Sequence, residues 1–169
     1  KTPFEPLIRG GGQERGRRCG TYNTAGIVGF GKAAELSAQT AAPDYVAALA
    51  ARRDRLESGL IAALDDVEIN GDPSSRLPNT SNLSFAGVDG EGLVLNLDMK
   101  GIAISTGSAC TSGSLDPSHV LVALDKEERW LEAAIRFSLG RDNSDADVDQ
   151  VVQTVAAEVT RLRQMARAS

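Results

Sequence analysis

Between Asp145 and Ala168 the segment DADVDQVVQTVAAEVTRLRQMARA places Val148, Val151, Val152, Val155, Val159, Leu162 and Met165 at spacings of three and four, or their multiples. That period predicts an amphipathic helix with one continuous apolar face. A helix of this kind gains most of its stability by covering another apolar surface, so the chain must supply one. Its ends carry matching signals. Ser144 suits an N-cap, with Asp147 three residues later as an aspartate version of the capping box. Asp145, Asp147 and Asp149 suit the positive end of the helix dipole, and Arg161, Arg163 and Arg167 the negative end.

The surface to be covered has to be aliphatic, because aromatic residues make up only 4% of the 169 residues. Asp44 to Asp65 predicts a second amphipathic helix, with Tyr45, Leu49, Leu56, Leu60 and Leu64 on one face. Val67 to Asn70 predicts a short strand ended by the turn signature NGDPSS. In PNTSNLSFAG, Leu83 and Phe85 alternate with Asn82 and Ser84, which predicts a strand with one buried face. A short helix is expected over Glu91 to Met99 and a strand over Ile102 to Ser105. Beyond them come a short helix from about Pro117 through Leu124 and a helical turn in KEERWLEA. Ala134 to Leu139 reads as a strand with Ile135, Phe137 and Leu139 on one side and Arg136 and Ser138 on the other. Long helices packed on a small sheet form an α/β layer of α+β character.

Ahead of these elements, the first twenty-one residues contain two prolines, five glycines and a cluster of arginines, which predicts a loop. Tyr22 to Gln39 turns helical, with Asn23 or Thr24 as its cap. The net charge of −5 and the absence of a basic tail speak against nucleic acid as a partner. The apolar runs are too short to span a bilayer, and KTPFEPLIRGGG has no apolar core of a signal peptide. Two cysteines and one histidine without ligand spacing give no metal site. Reduced thiols in the cytoplasm are therefore expected.

Three segments suggest chemistry. In STGSACTSGSLDPSH, Cys110 has only small and polar neighbours, unlike a packed structural cysteine; it is either a reactive thiol, since an exposed one invites oxidation unless it is used, or an incidental surface cysteine. Arg136 lies in a strand whose alternate residues are apolar. It is either a solvated edge arginine or a fork aimed at a carboxylate. In GGGQERGRRCGT, glycines beside arginines and a Gly-Thr pair fit either a flexible linker or a phosphate cradle, and match neither the Walker nor the dinucleotide pattern. His119 reads as exposed or capping, and Cys19 as a small packing residue.

Taken in order, GGGQERGRRCGT, LPNTSNLSF, STGSACTSGSLDPSHVLVAL and IRFSLGR resemble the C-terminal part of the group I (NifS/IscS-type) cysteine desulfurases. These are pyridoxal-phosphate enzymes of the class V aminotransferase family. The resemblance implies removal of sulfur from L-cysteine to give L-alanine, with the sulfur carried as a persulfide on Cys110. It implies Arg136 as the group that holds the substrate carboxylate, and Thr21 as a contact to the cofactor phosphate of the neighbouring subunit. Arg18 would order that loop at the interface of a homodimer. An iron–sulfur scaffold, a tRNA-thiolation relay or another acceptor would take the sulfur. The family's Schiff-base lysine follows a histidine upstream of the glycine-rich stretch. Lys1, Lys32, Lys100 and Lys126 do not follow one, and Cys19 stands where relatives usually show serine. The chain is therefore expected to be a fragment, inactive alone, with 1–21 as the tail of the large cofactor domain and 22–169 as the small domain. A stand-alone persulfide carrier or scaffold-docking module is the alternative.

Overall fold

The computed structural model describes residues 3–106 and 118–168. It divides into two compact units, residues 1–42 and 43–169.

In the first unit the glycine-rich stretch is a small hairpin rather than a plain loop. Strands β1 (Gly12–Gln13) and β2 (Arg18–Cys19) pair antiparallel, Gly12 with Cys19 and Gln13 with Arg18. A single 3₁₀ turn, Glu14–Gly16, joins them. Helix α1 (Thr24–Thr40) follows, and the Asn23 side chain caps it by accepting from the Gly26 N–H at 3.0 Å. That is one of the two caps the sequence suggested. Its Ile27, Val28 and Phe30 are exposed.

The second unit is a four-stranded antiparallel sheet covered on one face by helices. Helix α2 (Pro43–Ala63) leads into β3 (Val67–Ile69) and β4 (Thr80–Phe85). Helix α3 (Gly90–Asp98), the two-residue β5 (Ser105–Thr106) and the short helix α4 (His119–Ala123) come next. Strand β6 (Ala134–Ser138) and helix α5 (Asp145–Ala168) complete it. The strand order is β3-β4-β6-β5. The apolar face of α5 buries Val148, Val155 and Val159 against Leu56 and Leu60 of α2, and against Leu83, Phe85, Ile135 and Phe137 of the sheet. At the crossing, Gly59 lets α2 approach α5 closely: a Cβ there would lie 2.9 Å from a Val152 methyl. The predicted capping box is present. Asp147 accepts from both the backbone N–H and the hydroxyl of Ser144, and the Asp147 N–H donates back to Ser144 Oγ.

Four details differ from the sequence reading. Of the strand predicted over Ile102 to Ser105 only Ser105 pairs, together with Thr106 beyond it, and Ile102 and Ile104 pack against the core without joining the ladder. Leu124 lies just beyond α4 as its C-cap. Ser84 is fully buried, although it lies on the face of β4 opposite Leu83 and Phe85. Arg163 does more than complement the dipole. Its guanidinium donates to the backbone carbonyls of Ala86, Asp65 and Asp66, pinning the turn that leads into β3.

Two ion-pair groups hold the helices in place. Glu57 of α2 is buried and receives both Nη groups of Arg76, at 2.5 and 2.7 Å. The adjacent Arg53 donates to the Leu77 carbonyl at 2.8 Å, so α2 grips the segment before β4 at two points. Removing one partner of a mostly buried pair leaves the other charge without compensation. Glu57→Ala is expected to lower unfolding stability by about 3 kcal/mol, read from denaturant midpoints.

Glu158 of α5 is buried between Lys100 at 3.1 Å and Arg161 at 2.8 Å. The Arg161 hydrogen bond, followed by Lys100, holds its carboxyl below the ordinary glutamate value, against the opposing effect of burial. A lowered folded-state value means the stabilisation is complete above the unfolded value and is lost as pH falls through the folded one. Glu158→Gln is expected to lower the melting temperature by about 2–4 °C at neutral pH, for about 1 kcal/mol. Calorimetry should find the two proteins converging as pH falls below the ordinary glutamate range.

Candidate functional site

Strand β6 places Arg136. Its Cα partners are Asn82 on β4 and Ser105 on β5, so Arg136 is centred on the sheet face opposite Ile135 and Phe137. Those two side chains are buried in the helix-covered core, and alternation along the strand sends the half-buried Arg136 to the other side. Asn70 extends the same row, its backbone N–H donating to the Asn82 carbonyl at 2.8 Å. Among the described residues the Arg136 guanidinium has no ion pair or hydrogen bond, in contrast to the paired arginines 52, 53, 55 and 76 on the helix side. An unpaired, half-buried fork on a polar face is suited to a planar anion.

Buried hydrogen bonds back this face. The Ser84 hydroxyl donates to the Trp130 carbonyl at 2.6 Å, and the Asn70 amide nitrogen donates to Ser84 Oγ at 2.8 Å and to Asn82 Oδ1 at 2.7 Å. The sequence reading treated Asn82 as an ordinary solvent-side strand residue. Its place in the row could be found only from strand register, which puts Asn70, Asn82, Arg136 and Ser105 side by side.

A cleft of about 460 Å³ lies elsewhere, between the 100–104 segment and the first turns of α5, lined by Ile102, Ile104, Phe137, Val148 and Val151. It lies toward the core side of β6, and Arg136 does not line it.

In the first unit, Arg18 turns its guanidinium back on its own loop. Its Nη1 donates to the carbonyls of Gly20 at 2.7 Å and Thr21 at 2.5 Å. Gly20 sits at φ +84, a left-handed backbone that only glycine adopts without cost. Arg18 and Gly20 together fix the backbone that carries the exposed Thr21, whose hydroxyl has no hydrogen bond among the described residues. Cys19 is buried and a free thiol. Its burial fits the packing role expected for it.

Cys110 lies outside the described residues. His119 opens α4 and is exposed. Every described lysine is ion-paired: Lys32 to Glu35, Lys100 to Glu158 and Lys126 to Glu68. Among the described residues no group of three or more His, Cys, Asp or Glu is placed to hold a metal ion. No described helix is long and apolar enough to cross a membrane.

The family model for class V aminotransferases matches residues 8–151, and the chain belongs to that family. Within it, the chain is 49% identical over 162 residues to a cysteine desulfurase of Gluconacetobacter diazotrophicus, covering 96% of this chain and 40% of that protein. It is 46% identical over 162 residues to the cysteine desulfurase NifS of Azotobacter vinelandii, covering 96% of this chain and 40% of the relative. A solved NifS-like protein superposes with a TM-score of 0.80 at 34% identity, over 95% of this chain and 40% of that one. A NifS-like protein from Rickettsia africae gives a TM-score of 0.76 at 28% identity, over 95% and 41%. The chain thus spans about 40% of the length of the curated relatives it matches.

Proposed function

We propose that this chain is the part of a cysteine desulfurase that supplies the sulfur-accepting thiol and the substrate-carboxylate arginine. The observation that carries this reading is the 49% identity to a cysteine desulfurase over 96% of the chain. The unpartnered Arg136 supports it, being the group that the reaction would need for an amino-acid substrate.

Pyridoxal phosphate, the cofactor the resemblance implies, fits the residues present only in part. Thr21, on its braced backbone, offers a free hydroxyl and suits a phosphate oxygen. Each described lysine is paired with a carboxylate and none follows a histidine, so on this reading the lysine that anchors the cofactor lies outside the described residues. When bound, the cofactor supplies an electron sink at the substrate's α-carbon.

The remaining roles belong to the chain's own residues. Arg136 holds the carboxylate of L-cysteine by two parallel N–H···O bonds and so fixes where the substrate's sulfur lies. Cys110, as a thiolate, attacks that sulfur. A new S–S bond forms, the C–S bond breaks, and its electron pair stays with carbon, which takes a proton to give L-alanine. Cys110 is left as a persulfide, for delivery to an iron–sulfur scaffold or another acceptor. The complete enzyme is read as a cytoplasmic homodimer in which Thr21 reaches the partner subunit's cofactor.

The test is mass spectrometry of the complete enzyme after exposure to L-cysteine without an acceptor. One added sulfur atom on the peptide containing Cys110, removable by a reductant, is the expected result. Alanine formation with no sulfur on that peptide would refute the role given to Cys110.

A further inference from the structure

The polar row on the sheet has a fixed hydrogen-bond direction. Trp130 offers only a carbonyl to Ser84, so the Ser84 proton goes there and Ser84 Oγ must accept from Asn70. This settles which end of the Asn70 amide faces the row: its nitrogen. The same nitrogen lies 2.7 Å from Asn82, so Asn82 must present its oxygen toward β3. β6 lies on the other side of β4 from β3, and an amide whose oxygen is taken up toward β3 leaves its NH₂ free for that side. There the directly opposed residue is Arg136. Opposed residues of an antiparallel pair stand about 4.5–5.5 Å apart at Cβ. Among the described residues neither the Asn82 NH₂ nor the Arg136 guanidinium has a hydrogen-bond partner, and both residues are half-buried.

We propose that Asn82 is a second ligand of the substrate carboxylate, its NH₂ donating beside the Arg136 fork, with Asn70 and Ser84 as positioning residues that hold the amide the right way round. The inference rests on Arg136 being the carboxylate-binding group. It adds a neutral donor whose orientation is set by a buried chain of hydrogen bonds reaching back to the Trp130 carbonyl.

A purely structural Asn82, present only to accept from Asn70, makes a different forecast. Asn82→Ser keeps an oxygen to accept and adds no charge beside Arg136, so that role predicts little change, whereas Asn82→Asp would pair with the opposed Arg136 under either role. Under the proposal Asn82→Ser withdraws the amide donor from the carboxylate, and Asn82→Asp adds a negative charge against it as well.

The experiment uses the complete enzyme that carries this chain, with L-alanine and L-alaninamide as competitive inhibitors of L-cysteine turnover. The two differ in the carboxylate alone. Asn82→Asp should raise KM for L-cysteine and Ki for L-alanine by about tenfold to a hundredfold, with Ki for L-alaninamide changed by less than about twofold. Asn82→Ser, which keeps an acceptor and adds no charge, should raise the same ratio by about fivefold to tenfold and decides between the two roles whether or not the aspartate variant folds. An unchanged ratio of the two Ki values in a folded Asn82 variant overturns the proposal. Arg136→Ala is measured alongside. If it shifts the ratio while the Asn82 variants do not, Asn82 has no such role and the reading of Arg136 stands. If Arg136→Ala leaves the ratio unchanged, the carboxylate site itself is elsewhere and both readings fall.

Discussion

Cys110→Ser is expected to reduce L-cysteine-dependent alanine formation by the complete enzyme at least about 10³-fold. The two side chains are close in size, and the difference is chemical. A thiol has an ordinary pKa near 8.5 and supplies a useful thiolate fraction at neutral pH, more where a cation or a helix N-terminus lowers that value. A serine hydroxyl is hardly ionised there and is a poor nucleophile toward sulfur. The variant should still bind substrate, because Arg136 and Thr21 are unchanged. Alanine quantified by chromatography, together with an undiminished spectral response to added L-cysteine, separates this outcome from unfolding. Turnover close to the parent rate would remove Cys110 from the mechanism.

The parts of the fold that were legible in the sequence are those set by local chemistry. The valine stripe of α5 and its Ser144–Asp147 box were readable because both depend on residues three or four apart. The alternation in β6 correctly set Ile135 and Phe137 against Arg136, since one strand carries that information alone.

What depended on neighbours was not legible. Alternation sets Ser84 on the face opposite the buried one, yet it is fully buried and donates to the Trp130 backbone carbonyl, a neighbour that no local pattern shows. Ile102 and Ile104 alternate as a strand would, and they are held by packing rather than by ladder bonds. The row Asn70–Asn82–Arg136–Ser105 draws on four segments far apart in the chain, so no local pattern announces it. The hairpin in the glycine-rich stretch was hidden for a related reason. Its strands are two residues long, and its shape comes from backbone angles at Glu14, Arg15 and Gly16 that composition does not specify.

Arg136→Ala is expected to lower kcat/KM for L-cysteine by about 10³-fold, close to 4 kcal/mol of transition-state binding. The size follows from the setting. On the helix side of the unit, arginines such as Arg55 are engaged by carboxylates at 2.7 Å, and losing one would cost local stability. Arg136 has no such partner among the described residues, so its removal should leave the melting temperature within a degree or two and fall almost wholly on the substrate. Losing the charge leaves the substrate carboxylate on a half-buried face without a cation, and that carboxylate sets the position of the sulfur as well as the affinity. Both kcat and KM should therefore worsen. Arg136→Lys separates the two contributions. It keeps a positive charge and loses the planar two-point grip, so KM should recover in part while kcat stays low. Steady-state kinetics on both variants, beside their melting curves, make the check. A large loss of thermal stability with kcat/KM intact would make Arg136 a structural residue of the sheet.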